Sequence, residues 1–172
     1  CQLGIVGLNV AMEKQIGMED TKKACAYSIE QTLDFGQCLL AFAYPEDSEY
    51  SAIEQLEGKT IATSYPFIVS KYIDEKKLNI KITEFSGAVE VAPSLGKAEA
   101  ICDLVSSGAT LKAHNLTQGE TILDSTAVVI QSNNSLGDKE QLWVSKLLER
   151  INGVLQVRES KYIMMHAPKD SI

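Results

Sequence analysis

Residues 103–110, with the sequence DLVSSGAT, combine the chemical groups needed to bind a phosphorylated sugar. Asp103 offers a carboxylate that can accept hydrogen bonds from a sugar diol. The turn that follows is made of small residues: Ser106, Ser107, Gly108, Ala109 and Thr110. Its backbone N–H groups and hydroxyls can point at a phosphate, and Gly108 can adopt a positive φ without strain. The pattern therefore predicts a ribose 5-phosphate site.

The same residues also have simpler interpretations. The turn could be only a polar helix cap, since short motifs often mislead. Asp103 could be the N-cap residue of a following helix, a role compatible with anion binding. These alternatives stay open on the motif alone.

Alternating strands and helices are expected to position this turn. We predict strands over 3–7, 37–44, 59–63, 78–85, 99–104, within 121–131 and over 161–165, and helices over 51–56, 67–76, 88–95 and 139–152. Pro66 suits a first helical turn, whereas Pro93 blurs the helix in which it lies. Strands separated by helices at this pace predict an α/β fold with open sheets, in which ligands bind beyond the carboxyl ends of strands.

Two lobes with a cleft between them are predicted from the connections near Tyr44-Pro45 and Ser125-Thr126. The first lobe would comprise residues 1–44 and 126–160, and the second, carrying the turn, residues 45–125. Residues 161–172 would begin a linker or regulatory domain. A cleft between lobes is a common place for a small-molecule site. Because the chain opens inside a core strand and stops soon after another, we expect a fragment.

Composition excludes several classes of function. A formal net charge of −7 argues against nonspecific nucleic-acid binding. The apolar runs are too short to span a bilayer, and no signal peptide is visible. The four cysteines lack metal or disulfide spacing, and Cys102 is expected to be a buried strand residue. His114 and His166 lack ligand spacing. A cytoplasmic, reduced protein is the simplest interpretation.

Several ordered blocks of the chain resemble ATP phosphoribosyltransferase. The signature residues are Glu90, Gly96, Ala98, Ile101, Asp103, Leu104, Ser107, Gly108, Thr110 and Leu111. Further blocks that resemble the family lie at residues 3–7, 34–38, 58–66, 87–93 and 158–168. The resemblance covers nearly the whole chain in order, which makes it far more specific than a single glycine motif.

The resemblance implies the first step of histidine biosynthesis, in which phosphoribosyl is transferred from phosphoribosyl pyrophosphate to N1 of ATP and pyrophosphate leaves, accompanied by Mg²⁺. It also implies a two-lobed fold similar to periplasmic binding proteins and a dimer-based homo-oligomer. Asp103 would hold the ribose hydroxyls, and residues 106–110 would cradle the 5-phosphate. The candidate cleft-lining residues are Glu90, Thr63, Ser64 and Tyr65. Glu90 could instead be a solvated charge, and Tyr65 could simply pack.

Some positions depart from the family pattern. Gln2 and Leu8 stand where the family usually has acidic residues, and His114 where it commonly has asparagine. The family's N-terminal basic-glycine motif and its histidine-sensing C-terminal domain have no counterpart in the sequence. We therefore expect that the chain could bind a ligand without turnover. The alternatives are a non-catalytic two-lobed binding module and an inactive fragment that assembles with partners.

Overall fold

The computed structural model describes residues 2–21 and 24–157. The chain forms two compact units, Cys1–Asn134 and Ser135–Ile172. The first unit contains β1 (Leu3–Gly7), α1 (Leu8–Asp20), β2 (Tyr27–Thr32), β3 (Cys38–Pro45), β4 (Thr60–Thr63), α2 (Pro66–Lys76), β5 (Lys81–Glu84), β6 (Ala100–Val105), α3 (Ala109–Ala113), β7 (Leu116–Ser125) and β8 (Ala127–Ser132). Within the described residues, 3₁₀ turns lie at Ile53–Leu56 and Val89–Val91. The second unit contains α4 (Asp138–Val157).

The strands of the first unit form two sheets. A five-stranded sheet has the order β5-β4-β6-β3-β7, and a three-stranded sheet has the order β1-β8-β2. Strand β4 runs parallel to β5 and β6, whereas β3 runs antiparallel to β6 and β7. The carboxyl ends of β4, β5, β6 and β7 therefore meet the amino end of β3 at one edge, called here the carboxyl edge. The expectation of an α/β fold is confirmed.

The core lies on both faces of the five-stranded sheet. One face packs Leu40, Phe42 and Cys102 against apolar side chains of α2. The other face packs Ala41 and further buried apolar side chains against the 3₁₀ turn at Val89–Val91 and against α3. Strand β3 is apolar on both faces because both faces of the sheet are covered at this strand. Cys102 is fully buried, as predicted.

Two chain crossings connect the sheets, and they are hydrogen-bonded to each other. The Leu33 N–H donates to the Ala127 carbonyl at 2.7 Å, and Thr126 Oγ1 donates to the Phe35 carbonyl at 2.7 Å. The first crossing thus precedes β3, whereas the sequence placed it near Tyr44-Pro45. Strand β3 needs β6 and β7 on either side to pair its backbone, so it belongs to the five-stranded sheet. The division into lobes itself stays a prediction.

Several predicted elements differ in the structure. The predicted helix over 88–95 is only the 3₁₀ turn at Val89–Val91, because Pro93 lacks an N–H and Gly96 has a φ of 63°. The predicted strand over 78–85 is shorter, and α1 and β2 were not predicted. Asp103 lies inside β6, so it is not an N-cap; Gly108 is. His166 and the predicted strand over 161–165 lie outside the described residues.

Gly119 is required by a close contact inside the sheet. A Cβ at this position would overlap the ring of Tyr44, which is 2% exposed and cannot move aside. We expect Gly119→Ala to lower the free energy of unfolding by about 1–3 kcal/mol in urea titrations, the usual cost of overpacking. Gly4→Ala is the control, since its Cβ would make only an ordinary 3.4 Å contact with Ile130. Equal stability of the two variants would contradict the prediction.

Candidate functional site

The carboxyl edge gathers most of the polar residues singled out in the sequence. Strand β4 ends at Thr63, before Ser64 and Tyr65, and β6 ends just before Ser106. A cleft of about 540 Å³ opens beside this edge. It is lined by Gln37, Cys38, Leu39, Val105, Ser106, Asp124, Ser125 and Thr126. Residues far apart in sequence thus border one concave surface.

The loop after β6 presents free hydrogen-bonding groups. Ser106, Ser107 and Thr110 are exposed, and their hydroxyls make no hydrogen bond within the described part of the chain. Gly108 has a φ of 71° and a ψ of −1°, in the left-handed region that favours glycine. No side chain caps the start of α3, so the backbone N–H groups of this loop remain available. The loop has the composition and free donors that a phosphate site requires.

Asp103 lies next to this loop with a perturbed carboxyl group. It pairs with Ala41 in the sheet and is half-buried. Burial raises the pKa of Asp103, a hydrogen bond from the Leu104 backbone lowers it, and the charge of Glu90 raises it. The 3₁₀ turn therefore brings Glu90 within electrostatic range of Asp103. A carboxylate that is partly desolvated is a strong acceptor for hydroxyl groups once a ligand supplies them.

The turn between β4 and α2 uses two of its predicted site residues for its own structure. Thr63 is fully buried, and its Oγ1 accepts a hydrogen bond from the Tyr65 N–H at 2.9 Å. Ser64 Oγ donates to the Phe85 carbonyl at 2.8 Å. These bonds fix the turn, whereas the half-buried Tyr65 hydroxyl accepts a hydrogen bond from Asn9 Nδ2 at 2.8 Å. The sequence could not separate these roles because all three residues carry a hydroxyl.

A family model decides which chemistry this arrangement serves. The model described as HisG, ATP phosphoribosyltransferase, matches residues 1–153. The chain belongs to the ATP phosphoribosyltransferase family. It is therefore a transferase of histidine biosynthesis, and the predicted family resemblance is confirmed. The alternative of a non-catalytic binding module has no support beyond a shared fold.

Solved structures agree with this family assignment. The chain is 25% identical to the ATP phosphoribosyl transferase (HisG:HisZ) complex from Thermotoga maritima, with a TM-score of 0.71, covering 91% of this chain and 71% of that one. The alkanesulfonate-binding protein SsuA from Xanthomonas axonopodis has 14% identity and a TM-score of 0.57, over 92% of this chain and 56% of that chain. Arginine-bound truncated ArgBP from T. maritima has 17% identity and a TM-score of 0.54, over 80% and 61%. The last two are alike in fold alone, which confirms the expected binding-protein-like architecture.

The phosphoribosyltransferase chain also contains buried polar residues that sequence reasoning missed. Asn9, Glu13 and Ser125 are 4%, 8% and 4% exposed. The Glu13 carboxylate accepts hydrogen bonds from the Phe67 and Ile68 N–H groups, both at 2.9 Å. The start of α2 is thus occupied by a carboxylate of the protein itself. The four-residue spacing of Asn9 and Glu13, which places them on one helix face, was the only signal in the sequence.

Neither a membrane span nor a clustered metal site is found in the described parts of this enzyme. No helix there is long and apolar enough to cross a bilayer. No group of three or more His, Cys, Asp or Glu side chains is placed to hold a metal ion there. His114 is exposed at the end of α3.

Proposed function

We propose that this transferase binds phosphoribosyl pyrophosphate at Asp103 and the loop of residues 106–110, and transfers the phosphoribosyl group to N1 of ATP. One observation carries the proposal. A half-buried carboxylate lies in β6, and a loop with free hydroxyls and N–H groups begins where this strand ends, in a chain of this family. Asp103 would accept hydrogen bonds from the ribose hydroxyls. Ser106, Ser107, Gly108, Ala109 and Thr110 would surround the 5-phosphate.

The chemistry of the proposed reaction does not require a protein nucleophile. As pyrophosphate leaves, positive charge develops at C1 of the ribose, and N1 of ATP attacks that carbon. Positioning of the two substrates and stabilisation of charge should then supply most of the catalysis. Cys102, the buried thiol next to Asp103, is fully enclosed in the sheet and has a pKa raised by burial, so it would not act as a nucleophile.

Magnesium is the cofactor proposed for this site. Asp103 is a half-buried carboxylate beside the loop, and oxygen ligands of this kind suit Mg²⁺. Such sites commonly combine one or two carboxylates with substrate phosphates and water. When bound, the ion would neutralise charge on the pyrophosphate leaving group. Asp103 would remain ionised in this role, because a nearby cation lowers the pKa of a carboxyl group.

Location and assembly are also proposals. The solved relative from T. maritima is a HisG:HisZ complex. For this chain we propose a dimer-based oligomer acting in the cytoplasm. Sedimentation with and without phosphoribosyl pyrophosphate would test the assembly directly.

Calorimetric titration with phosphoribosyl pyrophosphate and Mg²⁺ tests the site. Thr110→Ala removes one hydroxyl from the phosphate loop and Asp103→Asn removes the charge proposed to hold the ribose. Each is expected to weaken binding by 1.5–3 kcal/mol, about 10-fold to 100-fold in Kd. Thr117→Ala, an exposed threonine at the start of β7, is the control. Unchanged affinity in both site variants would place the ligand elsewhere.

A second measurement separates an enzyme from a binding module. Pyrophosphate release in the presence of ATP reports turnover, whereas calorimetry reports occupancy. We expect release that depends on ATP and falls in both Asp103→Asn and Thr110→Ala. Tight binding without ATP-dependent release would favour the non-catalytic alternative.

A further inference from the structure

A buried hydrogen-bond network joins three elements at the carboxyl edge. It links Asn9 in α1, Ser125 at the end of β7 and Tyr65 at the start of α2. The Asn9 N–H donates to Ser125 Oγ at 3.1 Å, and the Ser125 hydroxyl donates back to Asn9 Oδ1 at 2.8 Å. Asn9 Nδ2 donates to Tyr65 Oη at 2.8 Å. Within residues 2–21 and 24–157, the Tyr65 hydroxyl makes no other hydrogen bond.

The orientation of the Asn9 amide sets the direction of each hydrogen bond. A serine hydroxyl carries one hydrogen, and that of Ser125 goes to Asn9 Oδ1. The amide oxygen of Asn9 therefore faces Ser125, and its NH₂ group faces Tyr65. Because an NH₂ group can only donate, Tyr65 Oη must accept, and the hydrogen of the phenol is left without a partner.

The surroundings of this phenol point to the proposed ligand site. Burial raises the pKa of Tyr65, the hydrogen bond from Asn9 lowers it, and the charges of Asp103, Cys38 and Glu13 raise it. Ser125, which is hydrogen-bonded to Asn9, lines the cleft together with Cys38, so the network borders the concave surface at the carboxyl edge. Asp103 is within electrostatic range of the phenol. A neutral O–H donor at this position can serve an oxygen of a ligand held by Asp103 without adding charge.

We propose that Asn9 is a positioning residue that directs the free hydrogen of the Tyr65 hydroxyl to an oxygen acceptor of the bound phosphoribosyl ligand. This inference rests on the proposed function. Asn9 is buried and acts only through Tyr65. Gly7 keeps the space that the amide occupies, since a Cβ there would overlap Asn9 Oδ1. The Asn9 side chain therefore leaves no room for a Cβ at Gly7, where β1 meets α1.

The test is a double-mutant cycle in the affinity for phosphoribosyl pyrophosphate with Mg²⁺, measured on the full chain. Asn9→Asp keeps the side-chain shape but replaces the donor by an acceptor, so the Tyr65 hydrogen turns to the new carboxylate. Tyr65→Phe is expected to weaken binding about tenfold, the loss of one hydrogen bond. Asn9→Asp is expected to weaken binding about tenfold more in the wild-type background than in the Tyr65→Phe background. The loss of affinity that Asn9→Asp still causes in the Tyr65→Phe background measures the effect of the added charge alone.

Equal losses of affinity from Asn9→Asp in both backgrounds would overturn the proposal, because the effect of a purely structural asparagine would not depend on the Tyr65 hydroxyl. So would unchanged affinity in Tyr65→Phe. A ligand-free readout is the tyrosinate absorbance that disappears in Tyr65→Phe. Its midpoint should move to higher pH in Asn9→Asp, since a carboxylate replaces the donor that lowers the pKa.

Gly7→Ala provides a second, uncharged variant if Asn9→Asp is too unstable to titrate. It displaces the amide, and Gly4→Ala in the same strand is its control. The same criterion applies: its loss of affinity should disappear in the Tyr65→Phe background. If Asp103→Asn and Thr110→Ala weaken binding but Tyr65→Phe does not, only this proposal fails. If neither weakens binding, the proposed site itself fails.

Discussion

Asp103→Asn is expected to stabilise the ligand-free protein at pH 7 while it weakens ligand binding. Burial raises the pKa of Asp103, and the nearby charge of Glu90 adds to this. The folded state therefore holds the proton more tightly than the unfolded state, so ionisation of this carboxyl opposes folding. The contribution of the protonated Asp103 carboxyl to the free energy of unfolding is fully present below pH about 4. It is lost as the pH rises through the raised pKa of the folded state. Asparagine cannot ionise and avoids this loss.

The measurement is urea unfolding of wild type and Asp103→Asn at several pH values. The free energy of unfolding of Asp103→Asn should exceed that of wild type by least at about pH 4 and by more at about pH 7, because the wild-type carboxyl ionises as the pH rises. Asp124→Asn, an exposed aspartate in β7, is the control and should change little. A lower free energy of unfolding for Asp103→Asn than for wild type at pH 7 would contradict the prediction, because the ionised carboxylate would then stabilise the ligand-free fold.

Glu13→Ala is expected to lower the free energy of unfolding by about 2–4 kcal/mol, because two charge-assisted hydrogen bonds to backbone N–H groups are lost. The Phe67 and Ile68 N–H groups at the start of α2 would be left without their acceptor. Glu13 lies in α1, which follows a strand of the three-stranded sheet, whereas α2 follows a strand of the five-stranded sheet. The loss should therefore loosen the junction between the two sheets.

Chemical denaturation with a matched variant checks this prediction. Glu19→Ala removes an exposed glutamate further along the same helix and should cost far less. Glu13→Gln, which retains one acceptor oxygen, should fall between wild type and Glu13→Ala. Added acetate should recover part of the loss in Glu13→Ala, since the uncapped N–H groups form an anion site. Equal stability of Glu13→Ala and Glu19→Ala would refute the role of this cap.

Local sequence predicted the parts of the fold whose cause is local. The apolar run before Pro45 gave β3, and Pro66 gave the first turn of α2. The predicted helix over 88–95 is wrong because the apolar pattern continues across Pro93, which has no N–H to donate to a helix. The crossing before β3 was misplaced because an apolar run identifies a buried strand but not the sheet that buries it. Pairing partners are decided by tertiary contacts.

By itself, the sequence determined the family and the composition of the loop over residues 106–110, because both depend on residue types in a fixed order. Only the tertiary structure revealed the polar contacts that surround the proposed site. Asn9 and Ser125 are 116 residues apart, and Glu13 and Phe67 are 54 apart. Whether a buried asparagine or glutamate finds a partner depends on which elements the fold brings together. A hydrogen bond requires atoms within about 3 Å of each other, and no sequence pattern fixes that distance between segments so far apart.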